Sequence, residues 1–398
     1  MNTRLQALQP YPFARMNALL EGIEPPTALE LIALSLGEPK HTPPQFALDY
    51  LADTQAISAN LAQYPVSRGG EPLRLAISGW LAQRFAVNVD PERQILPVNG
   101  TREGLFSVAQ ALLSGSSDSL VMMPNPFYQI YEGAALLAGA QPVYVPNNPA
   151  NGYHQDFDNI TPETWARTEM VYICSPGNPT GQVMPAEQMQ KLVQLALQYD
   201  FLLIADECYS EIYFDAQNPP PSLLNACIAV GNDTFKNCLI FHSLSKRSNL
   251  PGLRSGFVAG DAAALEDYFN YRTYHGCAMS PHHQHISMLA WSDEQHVQAN
   301  RTLYQEKFAL VESILAPHFP VQTPAGGFYH WLETPIDDTV FCQRLFAEQH
   351  VKVLPGQFLA REVQGANPGN KHVRLAWVAS LGDCESAAQR LVELARGL

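Results

Sequence analysis

Short apolar segments recur between residues 95 and 260, and each leads into a polar, Gly- or Pro-rich cluster or a helical pattern. Strands of about four to seven apolar residues that alternate with helices of about ten or more are typical of a mostly parallel α/β sheet. The segments read QILPVN, SLVMMP, PVYVP, MVYICS, FLLIAD, CLIFHS and GFVAG. The pattern therefore predicts a seven-stranded, mostly parallel sheet covered by helices.

The pattern changes after about residue 280. A long helical stretch leads into the short strands GGFYHWLE, VKVLPG and HVRLAW and then into a last helix, which is typical of a smaller α+β domain. The first forty or so residues do not follow the sheet pattern, and we expect them to pack with this second domain. The predicted division is a large domain over 45–282 and a discontinuous small domain over 1–44 and 283–398, with an N-terminal arm.

Composition restricts the class of protein. The 38 acidic and 24 basic side chains give a formal charge of −14, which argues against nucleic acid or an anionic membrane as the main partner. No apolar run approaches the roughly 20 residues that span a bilayer, and the N-terminus lacks the apolar core of a secretory signal. The seven cysteines are scattered, with no CxxC pair, so we expect free thiols and a cytoplasmic protein.

Polar clusters follow the predicted strands at the edge where ligands bind in open α/β sheets. Because the carboxyl ends of parallel strands meet at one edge, we expect these clusters to form a single site. They are Gly100-Thr101-Arg102, Tyr128 in PNPFYQIY, Asn178 in SPGNPTG, Asp206 with Tyr209 in ADECY, and Ser243 to Lys246 in HSLSK.

From about Gly37 to Arg374, the order of these motifs resembles the pyridoxal-phosphate aminotransferases of fold type I, in the aspartate aminotransferase class. The stretch SLSKRSNLPGLRSGFVAGD is similar to the N-succinyldiaminopimelate aminotransferases of lysine biosynthesis. The resemblance implies the fold of that family, pyridoxal 5'-phosphate as the cofactor, and a homodimer.

Three catalytic residues are predicted. Lys246 follows the strand CLIFHS, where a desolvated amine near other cations is nucleophilic and could form an imine with an aldehyde cofactor. Asp206 ends the apolar run FLLIAD, so its carboxylate needs a cation such as a protonated pyridine nitrogen, unless it only caps the next helix. By resemblance, Tyr209 and Asn178 donate to the phenolic oxygen of the ring, although Asn178 also suits a simple loop turn.

An anion pocket is predicted for the cofactor phosphate. Gly100 and Thr101 open a helix after a strand, so their N–H groups and the helix dipole favour an anion, although a lone Gly-Thr is usually only an N-cap. Ser243 and Arg254 add a hydroxyl and a cationic fork. The remaining cofactor-binding predictions are Arg102, Ser245, and Tyr64, which by resemblance reaches the phosphate of the opposite subunit.

Substrate binding is predicted from the resemblance alone. Arg374, in HVRLAW, matches the arginine that binds the substrate α-carboxylate, and Gly37 and Asn178 lie where the family approaches the same group. Tyr128 matches the aromatic residue that stacks on the pyridine, with Phe127 and Tyr131 as alternatives. The candidates for recognising the distal end of the substrate are Lys40, Arg102, Arg272 and His275.

The predicted reaction transfers an amino group in two half-reactions. It converts N-succinyl-LL-2,6-diaminopimelate and 2-oxoglutarate to N-succinyl-2-amino-6-oxopimelate and glutamate, so the partners are small amino acids and 2-oxoacids. The alternatives are another class I aminotransferase, for aspartate, alanine or aromatic substrates, or a pyridoxal-phosphate C–S lyase. A ligand-sensing regulator domain is disfavoured by the acidic charge. No metal is predicted, because His282, His283 and His285 carry no matching carboxylate or cysteine set.

Overall fold

The computed structural model describes residues 2–148 and 152–398. Its strands are β1 (Ile32–Ala33), β2 (Ile95–Val98), β3 (Leu120–Asn125), β4 (Gln141–Asn148), β5 (His154–Gln155), β6 (Thr168–Cys174), β7 (Leu202–Asp206), β8 (Cys238–Ser243), β9 (Gly256–Gly260), β10 (Tyr329–Glu333), β11 (Val351–Lys352), β12 (Leu354–Pro355) and β13 (His372–Ala376). Its helices are α1 (Pro12–Leu19), α2 (Gln45–Ala52), α3 (Thr54–Leu61), α4 (Glu71–Phe85), α5 (Thr101–Leu112), α6 (Ile130–Ala138), α7 (Pro162–Arg167), α8 (Ala186–Tyr199), α9 (Leu223–Ala229), α10 (Leu244–Arg247), α11 (Ala262–His275), α12 (Pro281–Ser292), α13 (Gln295–Leu315), α14 (Asp338–Gln349) and α15 (Leu381–Arg396).

The large sheet has the strand order β2-β9-β8-β7-β6-β3-β4-β5. Strands β8, β7, β6, β3 and β4 are parallel, whereas β9 runs antiparallel to both β2 and β8. The mostly parallel α/β sheet is therefore confirmed. The structure adds an eighth strand to the predicted seven: β5 is a two-residue strand that pairs antiparallel with β4, too short to show any apolar period.

The central strands read as continuous apolar runs because both faces of the sheet are covered. Met122, Leu203 and Ile240 point into a core formed with helices α4, α8, α9 and α12. Their neighbours Val121 and Ile204 point to the other face, where α5, α6 and α11 pack. Burial on both faces leaves polar side chains only where the strands end, and this concentrates them at one edge.

A second, smaller unit contains the three-stranded antiparallel sheet β10-β13-β12 and helices α13, α14 and α15. Strand β1 pairs in parallel with β11, so the N-terminal segment joins this unit. Cys208, Tyr209 and Ile212, which follow β7, also lie in its core. The segment after β7 is therefore shared between the two units.

Helix α12 bears on where the boundary between the two units is placed. Ile286, Ala290 and Trp291 of this helix are buried in the core of the large sheet, together with Trp80 of α4. A boundary at residue 283 would separate them from that core. The apolar pattern continues through α12 into α13 and conceals the break at Asp293. We therefore propose a boundary after Ser292.

Polar contacts join the small unit to the segment that begins α6. The Arg361 guanidinium forms a two-pronged ion pair with Glu132, at 2.7 and 2.6 Å. Asn125 exchanges two side-chain hydrogen bonds with the backbone of Arg361, at 2.8 and 2.9 Å. These contacts flank Tyr128 and fix the backbone on both sides of it.

Two further features concern the environment of the chain. In the described ranges, no helix combines the length and the apolar character that crossing a bilayer requires. The cysteines are unpaired, as expected, and Cys208, Cys227, Cys238, Cys342 and Cys384 are buried.

Replacing Glu211 tests how the two units are held together. Its carboxylate, 2% exposed, pairs with Arg84 of α4 at 2.8 Å and with Arg301 of α13 at 3.2 Å. Glu211→Gln leaves two partly buried cations, with side chains 14% and 16% exposed, without this counter-ion. We therefore expect the free energy of unfolding to fall by about 3 kcal/mol in urea titrations, at the lower end for a buried pair. The matched control is Glu348→Gln, which removes an exposed pair with Arg344 and should cost less than about 1 kcal/mol. Equal losses in the two variants would contradict this role.

Candidate active site

A cleft of about 390 Å³ lies between the carboxyl edge of the large sheet and the small unit. Most of the predicted site residues line it. They are Gly37, Thr101, Arg102, Tyr128, Asn178, Asp206, Tyr209, Ser243, Ser245, Lys246, Arg254 and Arg374. Gly100 lies against the guanidinium of Arg254. The predicted polar clusters therefore meet at this cleft.

The amine of Lys246 lies in a desolvated position. Lys246 belongs to α10, a four-residue helix whose N-cap, Ser243, accepts the backbone N–H of Ser245. Its Nζ donates to the carbonyl oxygen of Gly37 at 2.5 Å. Burial, and then the charges of Arg374 and Arg254, lower the pKa of Lys246 to about 8, although Cys208 and Glu38 act in the opposite direction. With this pKa, roughly a tenth of the amine is neutral and nucleophilic at pH 7, far more than for an ordinary lysine.

Asp206 is a buried carboxylate, 2% exposed, that borders the cleft. Its Oδ2 accepts the hydroxyl of Tyr131 at 2.7 Å, and its Oδ1 accepts the N–H of Cys208 at 3.3 Å. Burial raises the pKa of Asp206 despite these hydrogen bonds. No lysine, arginine or histidine of the described ranges lies within ion-pair distance, so the carboxylate suits a cation supplied by a ligand.

An anion pocket lies at the N-terminus of α5. Gly100 has a φ of +85°, and a Cβ there would lie 2.3 Å from Nη2 of Arg254, so only glycine allows this approach. Arg254 donates to the carbonyl of Pro251 at 3.0 Å but, in the described part of the chain, has no carboxylate partner. Ser243 and Ser245 also line the cleft. Together these groups match the requirements of a phosphate.

Arg374, unlike the exposed Arg254, is a buried cation, and it has no carboxylate partner among the residues described. Its Nη2 donates to the carbonyl of Ser35 at 2.6 Å, and its Nη1 donates to Oδ1 of Asn178 at 2.9 Å. Its Nε is buried, and the described residues offer it no acceptor. The guanidinium can therefore bind a ligand carboxylate. Because Asn178 uses its oxygen for Arg374, its amide nitrogen is available as a donor.

The structure distinguishes the three aromatic candidates that sequence left open. Tyr128 lines the cleft, and its hydroxyl accepts Nε of Arg102 at 2.6 Å. Phe127 is fully buried and stacks on Tyr144, with ring centroids 5.5 Å apart. Tyr131 is also fully buried and hydrogen-bonded to Asp206. Tyr128 is thus the ring available for stacking on a ligand.

The other predictions have different surroundings. Tyr64 is 99% exposed and lies outside the cleft, so its role at a partner's phosphate stays a prediction. Arg272 is buried against Glu103 and the carbonyl of Cys277, away from the cleft lining. Lys40 and His275 are exposed. Of the distal-end candidates, Arg102 lines the cleft.

Sequence reasoning missed Tyr329. Its hydroxyl lies 2.9 Å from that of Tyr209, and an ideal Cβ on Gly37 would lie 2.0 Å from the same oxygen. Tyr131 was named only as an alternative ring, and its hydrogen bond to Asp206 was not anticipated. Tyr11 and Phe13 also border the cleft. The aromatic run GGFYHW was the one available signal for Tyr329.

Possible metal ligands meet at a place other than His282, His283 and His285, for which no metal is predicted. His285 stacks on Tyr50, with ring centroids 4.0 Å apart. Glu103, His275 and Cys277 bring ligand atoms within 4.8 Å of one another. Arg272 already forms an ion pair with this Glu103 carboxylate, at 2.5 Å.

Residues 30–391 match the family described as aminotransferase class I and II. The chain belongs to this family. It is 31% identical over 358 residues to LL-diaminopimelate aminotransferase of Desulforudis audaxviator, covering 89% of this chain and 88% of that protein. Among solved structures, an aminotransferase from Neisseria meningitidis is 45% identical, with a TM-score of 0.95 and full coverage of both chains. Aminotransferase AspB from Helicobacter pylori is 35% identical, with a TM-score of 0.90 over 98% of this chain and 100% of that chain.

Members of this family depend on pyridoxal phosphate, and the chain is accordingly a pyridoxal-phosphate aminotransferase. The cleft fits this cofactor by its own chemistry. Lys246 offers a partly neutral amine, Asp206 an unpaired buried carboxylate, and Arg254 a cation beside a helix N-terminus. The role of each residue stays a prediction, and these contacts are what support it.

A methyl group at residue 37 tests the close approach between Gly37 and Tyr329. Because the added Cβ would overlap the tyrosine hydroxyl, Gly37→Ala must displace the carbonyl that holds Lys246. We expect kcat/KM with glutamate as amino donor to fall about 100-fold, since shifts of about 1 Å in reacting groups have effects of that size. The control is Gly79→Ala in α4, where a Cβ would meet nothing within 4 Å. Similar kinetics for both variants would contradict the interpretation.

The pKa of Lys246 predicts a pH profile for cofactor capture. The neutral amine is the nucleophile and forms as pH rises, so the rate of visible-band formation by the apoprotein with pyridoxal phosphate should reach half its maximum near pH 8. Stopped-flow absorbance measures this rate as the shift away from the spectrum of free pyridoxal phosphate, and Lys246→Ala should show no such shift. A rate that keeps rising towards pH 10.5, the ordinary lysine value, would rule out the lowered pKa.

Proposed function

We propose that this aminotransferase acts in lysine biosynthesis and interconverts N-succinyl-LL-2,6-diaminopimelate and 2-oxoglutarate with N-succinyl-2-amino-6-oxopimelate and glutamate. The resemblance of SLSKRSNLPGLRSGFVAGD supports the succinylated substrate. The curated relative from D. audaxviator is named for LL-diaminopimelate, which supports the wider substrate class.

The observation that carries the proposal is a cation in the cleft, Arg102, to which we assign no role in binding the cofactor phosphate or the substrate α-carboxylate. If Lys246 reacts with the cofactor, Arg254 binds its phosphate and Arg374 binds the substrate α-carboxylate, Arg102 remains. In the described ranges this cation has no carboxylate partner and is bound to the hydroxyl of Tyr128. An arginine in this position favours substrates with an anionic distal end. Both N-succinyldiaminopimelate and glutamate have one.

Each residue of the cleft would have a separate role in the reaction. Arg374 holds the α-carboxylate and so orients the Cα–H bond. Bound pyridoxal phosphate supplies an aldehyde that takes up the amino group and a ring that accepts the electron pair left on Cα. Lys246 Nζ, as general base, would take the proton from Cα and would deliver it to the reacting carbon of the cofactor instead of back to Cα. Asp206 holds a proton on the ring nitrogen, and Tyr209 and Asn178 donate to the phenolic oxygen.

Unsuccinylated LL-diaminopimelate is the second candidate substrate, and two observations favour it. The curated relative is named for this compound. Glu38 lines the cleft and could pair with the distal ammonium, which the succinylated compound lacks because that nitrogen is an amide. Both compounds keep a distal carboxylate that Arg102 could bind. They differ in the distal ammonium, which Glu38 could bind, and in the additional carboxylate of the succinyl group.

We also propose a homodimer in the cytoplasm. The exposed side chains of Leu61, Tyr64 and Val66 lie close together along the chain and suit a surface that a second copy covers. In such a dimer Tyr64 would complete the phosphate site of the partner. The unpaired cysteines support a reducing compartment.

A visible-absorption titration of the purified holoenzyme tests the substrate. Glutamate, N-succinyl-LL-diaminopimelate and LL-diaminopimelate are added in separate cuvettes. We expect the first two to convert the bound cofactor to its amino form. Arg102→Gln should lower kcat/KM for the succinylated substrate about 10- to 100-fold, because a charge-assisted hydrogen bond contributes about 1.5–3 kcal/mol. The control is Lys40→Gln, at an exposed residue outside the cleft lining.

The other outcomes identify the alternatives. Conversion by LL-diaminopimelate instead of the succinylated compound would select the second candidate. Conversion by glutamate and by neither diaminopimelate compound would indicate another class I aminotransferase, for aspartate, alanine or aromatic substrates. Release of pyruvate without an amino acceptor would indicate a C–S lyase.

A further inference from the structure

Lys307 of α13 is a buried lysine that the reaction above does not use. It is 3% exposed, and the described chain places no carboxylate within ion-pair distance of it. Its Nζ lies 2.6 Å from Nε2 of His41, 3.5 Å from the carbonyl oxygen of Val378, and 5.2 Å from the ring centroid of Tyr304. Burial lowers the pKa of Lys307. Because a buried ammonium is costly without partners, the imidazole lone pair is a principal support for it.

The hydrogen bonds of His41 then define its tautomer. Nε2 accepts from Lys307, so the proton is on Nδ1, which lies 2.7 Å from Oδ1 of Asn300 and donates to it. Burial, followed by the charge of Lys307, lowers the pKa of His41, against the hydrogen bond to Asn300. The ring of Tyr304 also packs against His41, with centroids 4.7 Å apart and the ring planes tilted by 45°. The surroundings of His41 therefore keep the imidazole neutral.

Asn300 connects His41 to the backbone of α10. With its oxygen occupied by His41, its Nδ2 donates to the carbonyl of Lys246 at 3.1 Å and to that of Arg247 at 3.3 Å. The last carbonyls of a helix have no partner inside it, and α10 has only four residues. Asn300 supplies the missing donor.

The segment that contains His41 also contacts the side-chain amine of Lys246. Gly37, four residues earlier, accepts Nζ of Lys246 at 2.5 Å. The carbonyl of His41 accepts the side-chain amide of Asn249, which follows α10. One segment therefore contacts Lys246 at the amine and, through Asn300, at the backbone.

We propose that Lys307, His41 and Asn300 form a positioning relay that orients Lys246 for proton transfer. Every hydrogen bond in the relay runs in one direction, from the Lys307 ammonium to the Lys246 carbonyl. The three residues lie outside the cleft lining, so they act through Lys246 and not on substrate. This inference depends on the proposed function only in taking Lys246 as the reactive lysine.

The test compares Lys307→Met and Asn300→Asp with wild-type holoenzyme. Methionine removes the donor to His41, and aspartate removes the donor to the Lys246 carbonyl while keeping the side-chain shape. We expect kcat to fall about tenfold in each, with KM for glutamate changed less than twofold, because the relay orients the base without touching the bound carboxylate. Without substrate, the pH midpoint of the visible cofactor absorbance should shift in both variants. Lys307→Arg keeps a cationic donor, so its midpoint should equal that of wild type.

Coupling between the two sites separates a relay from general packing. In the double variant we expect no further loss beyond that of the larger single variant, because either change interrupts the same chain of bonds. The control is His285→Phe, which removes another ring-stacked histidine outside the relay and should leave both kcat and the pH midpoint unchanged.

Additive losses, or a lower melting temperature with an unmoved pH midpoint, would overturn the relay. Failure of the proposed function itself would look different. In that case wild type would show no visible cofactor band, or Lys246→Ala would retain turnover.

Discussion

Desolvation of charge in the cleft is the constraint on which the other features of the site depend. Lys246 is buried beside Arg254 and Arg374, so its ammonium form is disfavoured and its amine becomes reactive. Asp206 is buried without a cation from the described residues, so it favours a positively charged ligand group. The three cations form no ion pair with Asp206, because the four side chains lie at different points of the cleft. A ligand that carries a phosphate, a basic ring nitrogen and a carboxylate satisfies all of them at once.

Both units of the fold are needed to keep these charges apart. The large sheet supplies Asp206 and Lys246 from the ends of neighbouring parallel strands, β7 and β8. The small unit supplies Arg374 from β13, and the contacts between Arg361 and Glu132 fix the segment that carries Tyr128. Burial of both sheet faces leaves the strand ends as the place for polar chemistry, which is why the site lies where it does.

Sequence predicted the features that local patterns encode. Continuous apolar runs identify strands buried on both faces, and the polar residues that end them, such as Asp206, identify the site. Pairings between distant segments have no such local pattern. Gly37 and Tyr329 meet across the small unit, and His41 meets Lys307, which lies 266 positions later in the chain. The choice among Phe127, Tyr128 and Tyr131 depends on the turn before α6, which periodicity does not resolve. Strand β5 was missed for the same kind of reason.

The shared position of the segment after β7 links chemistry to folding cooperativity. Cys208 and Tyr209 are packed in the hydrophobic core of the small unit, yet both border the cleft beside Asp206. Opening that core would expose the segment and disassemble the cleft even if the large sheet stayed intact. Cofactor that binds only the assembled cleft must then stabilise the small unit by mass action. Hydrogen exchange of the amides after β7 would thus slow as cofactor saturates the enzyme, together with the amides of β10 and β13.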